Sequence, residues 1–376
     1  MHSLLTAAES HRRWVEDLIQ DLVRLESPST DKAALDRCGR ELAQRLVDLS
    51  AKVTTFPQQA AGDHVKAEFS AGSSQVLVLG HFDTVWPIGE IERMPCQRRG
   101  DRITGPGVFD MKAGIAIALL ALRVLTERSG SLPHRIVTLW TTDEEIGSTT
   151  SRAILEDEAR RSRAVFVLEP SLPGGAVKTA RKGVADFRVT ARGIAAHAGI
   201  DPGSGASAIH ELARQAVRLF ALHQQDRGIT VNVGRFEGGD RTNVVADRAV
   251  MDVDVRVPTL NDGERVAAVF ASLTPDDPRI RLEVTGGVDR PPLERSAGVV
   301  ALFEQARGIA RTLGRTLGEG STGGGSDGNF TAALGIPTLD GLGAEGGGAH
   351  ARDEHVLVES LPFRAALLAG LILTVK

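Results

Sequence analysis

The chain has 376 residues, a net charge of −4 and two cysteines, Cys38 and Cys96. A chain well beyond ~250–300 residues tends to split its core, so two domains are expected. The small net charge, without a long basic run, argues against nucleic acid and membrane partners; two lone cysteines exclude a disulfide framework and a CxxC metal site, and fit a reducing compartment.

The first residues lack a basic segment followed by an apolar core, so no secretory signal is expected and the chain is assigned to the cytoplasm. No run of about 18 apolar residues occurs, so no span is expected. Trp14, Leu18, Leu22 and Leu25 recur at helical spacing within residues 10–26, and Asp31 opens a second helix with Leu35, Leu42, Leu46 and Leu49. "KVTTF", "HVKAEF" and "QVLVLG" read as short strands. "GIAIALLALRVLTERSG" reads as a helix ending at Gly130, "HRIVTLW" and "AVFVLEP" as buried strands, and "SRAILEDEARR" as the helix between them. Continuous apolar runs alternating with helices imply an α/β domain with a mostly parallel, doubly covered sheet.

The pattern changes near residue 178. "GVADFRVTARG" alternates as a half-exposed strand, and "GASAIHELARQAVRLFALHQQ" is an amphipathic helix. "ITVNVGRFEGG", "RTNVVADRAVMDVDVRV" and "IRLEVTGG" are strand-like, with "DGERVAAVFASL" a helix among them. Two strands around each helix imply a small α+β module with one antiparallel sheet. The larger pattern resumes after Pro291 and closes on an apolar helix interrupted by Arg364. The expected organisation is a discontinuous domain of residues 1–177 and 291–376, with an inserted module at 178–290.

Acids and histidines follow the buried strands. His81 and Asp83 follow "QVLVLG", Asp110 follows the "RITGPGVF" hairpin, Glu144 and Glu145 follow "HRIVTLW", Glu169 follows "AVFVL", and His350 lies near the last strand. Open α/β sheets bind ligands beyond the carboxyl ends of their strands. Singly, each residue reads as an ordinary solvated turn; five such positions on one rim do not. Two imidazoles and several carboxylates suit Zn²⁺, with Co²⁺ or Mn²⁺ as alternatives. The set is too large for one tetrahedral zinc with an open position, and suits two metals about 3.5–4 Å apart sharing a carboxylate. Adjacent glutamates can then divide the work, one binding a cation and the other taking a proton from water.

Eight motifs in order resemble the M20 metallopeptidase/amidohydrolase family, most of all its glutamate carboxypeptidase branch: "GHFDTVWP", "GPGVFDMKAGIA", "TTDEEIGS", "LEP", "AAHAGIDPGSGASAI", "RTNVV", "GGGSDGNF" and "GAEGGGAHARDEHV". The resemblance implies two Zn²⁺ per subunit. His81 and Glu169 would bind one, Glu145 and His350 the other, and Asp110 would bridge them. Asp83 would orient the His81 imidazole. Glu144 would be general base and then acid. A cis peptide often follows the bridging aspartate, here Asp110–Met111. His197, which alone would read as a structural histidine, would cross a homodimer interface to stabilise the oxyanion. Asn243 would help bind the oxyanion or substrate, and Arg290 would hold the substrate carboxylate. Ser326 and Asp327, in a loop whose glycines would equally suit tight turns alone, would touch substrate. The inserted module would be the dimerisation and lid domain.

The resemblance implies a di-zinc hydrolase that releases a carboxylate-bearing amino acid, such as a C-terminal glutamate, from a small peptide. An N-acyl-amino-acid deacylase of the same family is the alternative, with an N-acyl amino acid as substrate; Glu169, rather than Asp, resembles both branches. A non-catalytic ligand-binding relative is a third reading, which the retained Glu144 opposes. His64 and His355 are expected to be surface or structural residues, and His11, His210 and His223 carry no ligand spacing.

Overall fold

In the computed structural model, which describes residues 1–69, 72, 74–128 and 132–375, the strand Gln75–His81 is buried at every position. Its pleat explains the continuous apolar run. Val76 and Val78 face the larger core, while Leu77 and Leu79 face a second cluster with Leu155, Ala159 and Phe330. Four neighbouring strands, Arg135–Thr141, Gln75–His81, Ser162–Val167 and Thr338–Leu339, run parallel. His64–Phe69 and Lys52–Phe56 extend one edge antiparallel, completing a six-stranded sheet. The helix Ala113–Thr126 is buried almost throughout and packs against Leu361–Thr374.

This sheet belongs to a compact unit of Met1–Ala180, Arg295–Ser321 and Ser326–Lys376. A smaller four-stranded antiparallel sheet lies in the same unit, in the order Gly346–Gly347, His355–Leu357, Arg102–Thr104 and Gln97–Arg99. It corrects one expectation. Asp110 and His350 do not follow strands of the parallel sheet; they hang from this second sheet.

Further corrections concern element ends. The helix expected over residues 10–26 runs from Arg12 to Arg24, and a separate helix, His2–Ser10, precedes it across a break at His11. The break lets the second segment bury Val15, Leu18, Ile19, Leu22 and Val23 independently of Leu4 and Ala8 in the first. The helix expected to reach Gly130 runs to Thr126, and Gly130 lies outside the described residues.

A second unit comprises Arg181–Glu294 with Thr322–Gly325. Its antiparallel sheet has the order Thr230–Gly238, Arg248–Val257, Gly183–Arg192, Arg281–Arg290. Ala185, Phe187, Val189 and Ala191 alternate into a core with the helices Ala208–Phe220 and Leu260–Ala271, where Phe187 stacks on Phe270 at 3.8 Å. Two of the intervening positions, Asp186 and Arg188, are exposed and charged, and Arg188 pairs with Asp252. The strand expected from residue 241 begins only at Arg248. Residues 241–247 form a loop instead, bonded to the loop that carries His197 through Ala198 N to Asn243 O and Val245 N to Ala196 O. Thr322–Gly325 joins this unit because Lys182 N donates to Thr322 O, and Arg181 Nη1 to the carbonyls of Gly324 and Gly325. Among the described residues, no helix is long and apolar enough to cross a membrane.

Candidate metal centre

His81 ends its strand with its side chain 2% exposed. Its Nδ1 lies 3.1 Å from the Asp83 carbonyl oxygen and 3.3 Å from Asp83 Oδ1, which leaves Nε2 to face the cluster. There Nε2 lies 3.4 Å from Asp110 Oδ1, 3.4 Å from Glu169 Oε1 and 4.0 Å from Glu144 Oε2. His350 Nε2 lies 3.5 Å from Asp110 Oδ2 and 3.2 Å from Glu145 Oε1. Each oxygen of Asp110 thus faces a different histidine.

Local chain geometry sets these directions. The Asp110–Met111 peptide is cis, inside a kinked turn ahead of the helix Ala113–Thr126. His350 has φ +58°, a left-handed conformation uncommon outside glycine, in the loop between two strands of the small sheet. Glu144 and Glu145 open a short turn, Glu144–Ile146, after the strand Arg135–Thr141. Asp83 pins that turn: Oδ1 accepts from Glu144 N at 3.3 Å, and Oδ2 from Glu145 N at 3.2 Å and Ser29 Oγ at 2.8 Å. Asp83 therefore serves the glutamate turn as well as the imidazole.

The electrostatics are those of a cation site. Burial opposes a charge on His81, but Asp110, Asp83 and Glu169 outweigh it and hold the imidazole pKa well above 6.5. Glu145 lifts His350 to about 9, while burial pushes Glu145 itself upward. Two sets of donors, His81–Asp110–Glu169 and Asp110–Glu145–His350, each converge within 4.8 Å. Ligand atoms ~2.0–2.2 Å from a tetrahedral cation stand roughly 3.3–3.6 Å apart, close to the spacings here. His81 Nε2 and Asp110 Oδ1 are buried and make no hydrogen bond among the described residues. Two divalent cations would satisfy both atoms and offset the carboxylates. The residues fit a dinuclear centre.

The other expected site residues lie elsewhere. His197 is exposed in the second unit, and its Nδ1 accepts from Gly199 N and Ile200 N, both at 3.1 Å. That fixes Nε2 as the protonated nitrogen, an outward donor. His197 pairs with Val244 in an isolated bridge, which brings Asn243 beside it. Arg290 is buried at the end of its strand, with Gly325 close against its Cδ. Ser326 is placed under its loop rather than on it. The residue is fully buried, its hydroxyl donates to Asp340 Oδ2 at 2.7 Å and accepts from Gly328 N, and its amide donates to Asn329. Asp327 is likewise buried, accepting from Thr141 Oγ1 and Ser148 Oγ. These contacts hold the loop and keep both side chains off its surface. His64 is a buried structural residue between Thr142 and Thr150.

Sequence reasoning passed over Glu354 and Ser29. Glu354 is flanked by Asp353 and His355, so nothing in the string separates it from a solvated charge, yet it is 1% exposed.

The model of peptidase family M20/M25/M40 matches residues 77–374. Carboxypeptidase G2 of Pseudomonas sp. strain RS-16 is 28% identical over 380 residues, covering 98% of this chain and 91% of that protein. Succinyl-diaminopimelate desuccinylase of Paracidovorax citrulli is 28% identical over 309 residues, 77% of each chain. Among solved structures, aminopeptidase PepT of Bacillus cereus superposes with a TM-score of 0.77 at 26% identity, covering 96% of this chain and 98% of that one.

Proposed function

The chain belongs to peptidase family M20/M25/M40, and on that premise we propose that it is a dinuclear metallohydrolase that cleaves an amide to release a carboxylate-bearing amino acid, with C-terminal glutamate as the first candidate. The observation that carries this reading is Asp110, whose two oxygens lie 3.4 and 3.5 Å from the imidazoles of His81 and His350. His81, Asp110 and Glu169 would hold one ion, and Asp110, Glu145 and His350 the other. Zinc suits this donor set best, with Co²⁺ or Mn²⁺ as substitutes. Such a pair supplies Lewis-acid polarisation of the scissile carbonyl and a lower pKa for the attacking water.

The remaining work falls to the chain. Glu144 belongs to neither donor set. It would take a proton from water and return it to the leaving nitrogen. His197 presents Nε2–H as a donor to the carbonyl oxygen as that oxygen gains charge, with Asn243 beside it. Arg290 offers a planar fork to the substrate carboxylate.

We assign the second unit as a dimerisation and lid domain. Its strand Thr230–Gly238 is a sheet edge, and the helix Ala208–Phe220 exposes Val217 at 75% and Phe220 at 57%. A homodimer would cover both and let His197 act in trans. The free thiols, Cys38 and Cys96, fit a reducing cytoplasm.

The named relatives favour a second reading, an N-acyl-amino-acid deacylase, since one is a desuccinylase. The deciding experiment is a release assay on aryl-glutamates and N-blocked dipeptides beside N-succinyl and N-acetyl amino acids, with and without added zinc. Turnover confined to the acyl amino acids would replace the carboxypeptidase reading.

A further inference from the structure

Glu354 is a charged side chain buried where no substrate or metal is assigned. Its oxygens are fully used. Oε2 accepts from Trp86 Nε1 at 2.9 Å and Gly107 N at 2.9 Å; Oε1 accepts from Phe109 N at 2.8 Å and Asp110 N at 3.0 Å. An ionised carboxylate has about four acceptor sites, and here four N–H groups occupy them. Those donors come from segments that carry ligands. Trp86 is on the loop that leaves His81, the three amides are the turn that presents Asp110, and Glu354 itself lies on the loop of His350.

We propose that Glu354 is a positioning residue for the metal centre, a buried carboxylate that fixes the backbone under Asp110 and so sets the bridge between the two histidines. This rests on the dinuclear reading above. Asp110 can face both His81 and His350 only if its turn is held at one height between them. The turn contains non-helical torsions at Asp110 and Met111; Lys112 N donates to Gly107 O at 3.1 Å and Ala113 N to Val108 O across those residues, but neither bond engages the amide of Asp110 itself. Three amides of the turn, those of Gly107, Phe109 and Asp110, converge on the one anion and hold that residue. The charge matters as well as the shape. A glutamine in the same place would turn an NH₂ toward two of the four donors and leave buried N–H groups unpaired.

The test is metal uptake by the metal-depleted full-length protein, measured by calorimetric titration with zinc and by the visible spectrum of cobalt uptake. Glu354→Gln is compared with Glu354→Asp and with Glu158→Gln. Glu158 is also a buried carboxylate, bonded to Lys66 and to Gln75, which lies at the opposite end of its strand from His81, and it touches no residue beside a ligand. Thermal stability of each metal-free variant is recorded alongside. Glu354→Gln should weaken uptake roughly ten- to a hundredfold and alter the cobalt spectrum. Glu354→Asp should recover part of that loss, and Glu158→Gln should bind as wild type whatever stability it loses. Wild-type affinity and spectrum in Glu354→Gln would overturn the proposal, as would an equal loss of affinity in Glu158→Gln. If Glu354→Gln does not fold, wild-type affinity and spectrum in Glu354→Asp would overturn it. Wild-type stoichiometry separates the two readings. One ion in place of two removes the dinuclear reading, while the variant-to-wild-type ratio still tests Glu354 on the ion that remains.

Discussion

Glu144 and Glu145 are neighbours in the chain and face different partners. Glu145 Oε1 lies 3.2 Å from His350 Nε2, while Glu144 Oε2 lies 4.0 Å from His81 Nε2 and belongs to neither set of converging donors. Asp83 makes this divergence possible, because its carboxylate accepts from both of their amides and holds the turn at the mouth of the strand. In the proposed reading, two like charges side by side would then serve two tasks.

Substitution should separate those tasks. Glu144→Gln is expected to keep full metal content and lose roughly 10²–10⁴-fold in kcat, the usual worth of a general base. Glu145→Gln should instead lower metal content, and Asp110→Asn should lower it at both positions. Elemental analysis beside steady-state kinetics checks all three. Near-normal turnover in Glu144→Gln would remove the proton-transfer role.

Much of this was legible in the string, for physical reasons. Strands buried on both faces must be apolar at every position, so "QVLVLG" and "HRIVTLW" stand out, and a polar residue at their ends is conspicuous by contrast. His81, Glu144, Glu145 and Glu169 could be found that way. Asp110 and His350 could not be placed by that argument, because they hang from a small sheet of strands two or three residues long with no periodic signal. Glu354 and Ser29 were illegible, since a buried acceptor and a solvated one are the same letter until their donors are known. The helix His2–Ser10 went unread for a different reason: it buries only Leu4 and Ala8, too few positions to show a period.

Arg364 was visible as a charge inside an apolar helix, but not its purpose. The guanidinium is fully buried and donates to three carbonyls, at 2.7 Å to Gly343, at 2.8 Å to Gly175, and to Gly341. Burial pulls its pKa down to about 10. Gly343 N in turn donates to Glu169 O at 2.9 Å, so the helix holds the backbone beside a candidate ligand. Arg364→Met should destabilise the fold by about 2–4 kcal/mol, because buried carbonyls lose their donors. Arg364→Lys, with one point charge in place of a fork, should recover only part. Denaturant midpoints measure both, and a neutral Arg364→Met would show that the carbonyls find other donors.

His64 gives a pH dependence of stability. Burial holds its pKa below 6.5, and its ring lies between Thr142 Oγ1 at 3.1 Å and Thr150 Oγ1 at 3.0 Å. As pH falls, the unfolded chain takes up this proton before the folded one. The contribution is therefore complete above about 6.5 and declines below it until the folded pKa is passed, at no more than about 1.4 kcal/mol per pH unit. His64→Gln has no such proton. Urea unfolding of the metal-depleted proteins at pH 7.5 and pH 5 should show the wild type losing more stability than the variant. Parallel losses would assign the acid sensitivity elsewhere.

The trans assignment of His197 has a direct test in mixed subunits. Glu144→Gln and His197→Gln are each expected to be nearly inactive alone. In a heterodimer, the subunit that keeps Glu144 would receive an intact His197 from its partner, and one site of the two would work. Co-refolding or co-expressing the two variants should therefore restore up to about half of the wild-type activity per heterodimer, since a two-fold dimer has two equivalent sites. If His197 acts within its own subunit, both sites stay defective and mixing restores nothing. A companion substitution on the exposed helix face, Val217→Asp with Phe220→Asp, should yield monomers by sedimentation. Those monomers should keep their metal content, because every candidate ligand lies in the first unit, and should lose turnover together with His197→Gln. Active monomers would place the oxyanion donor within one chain.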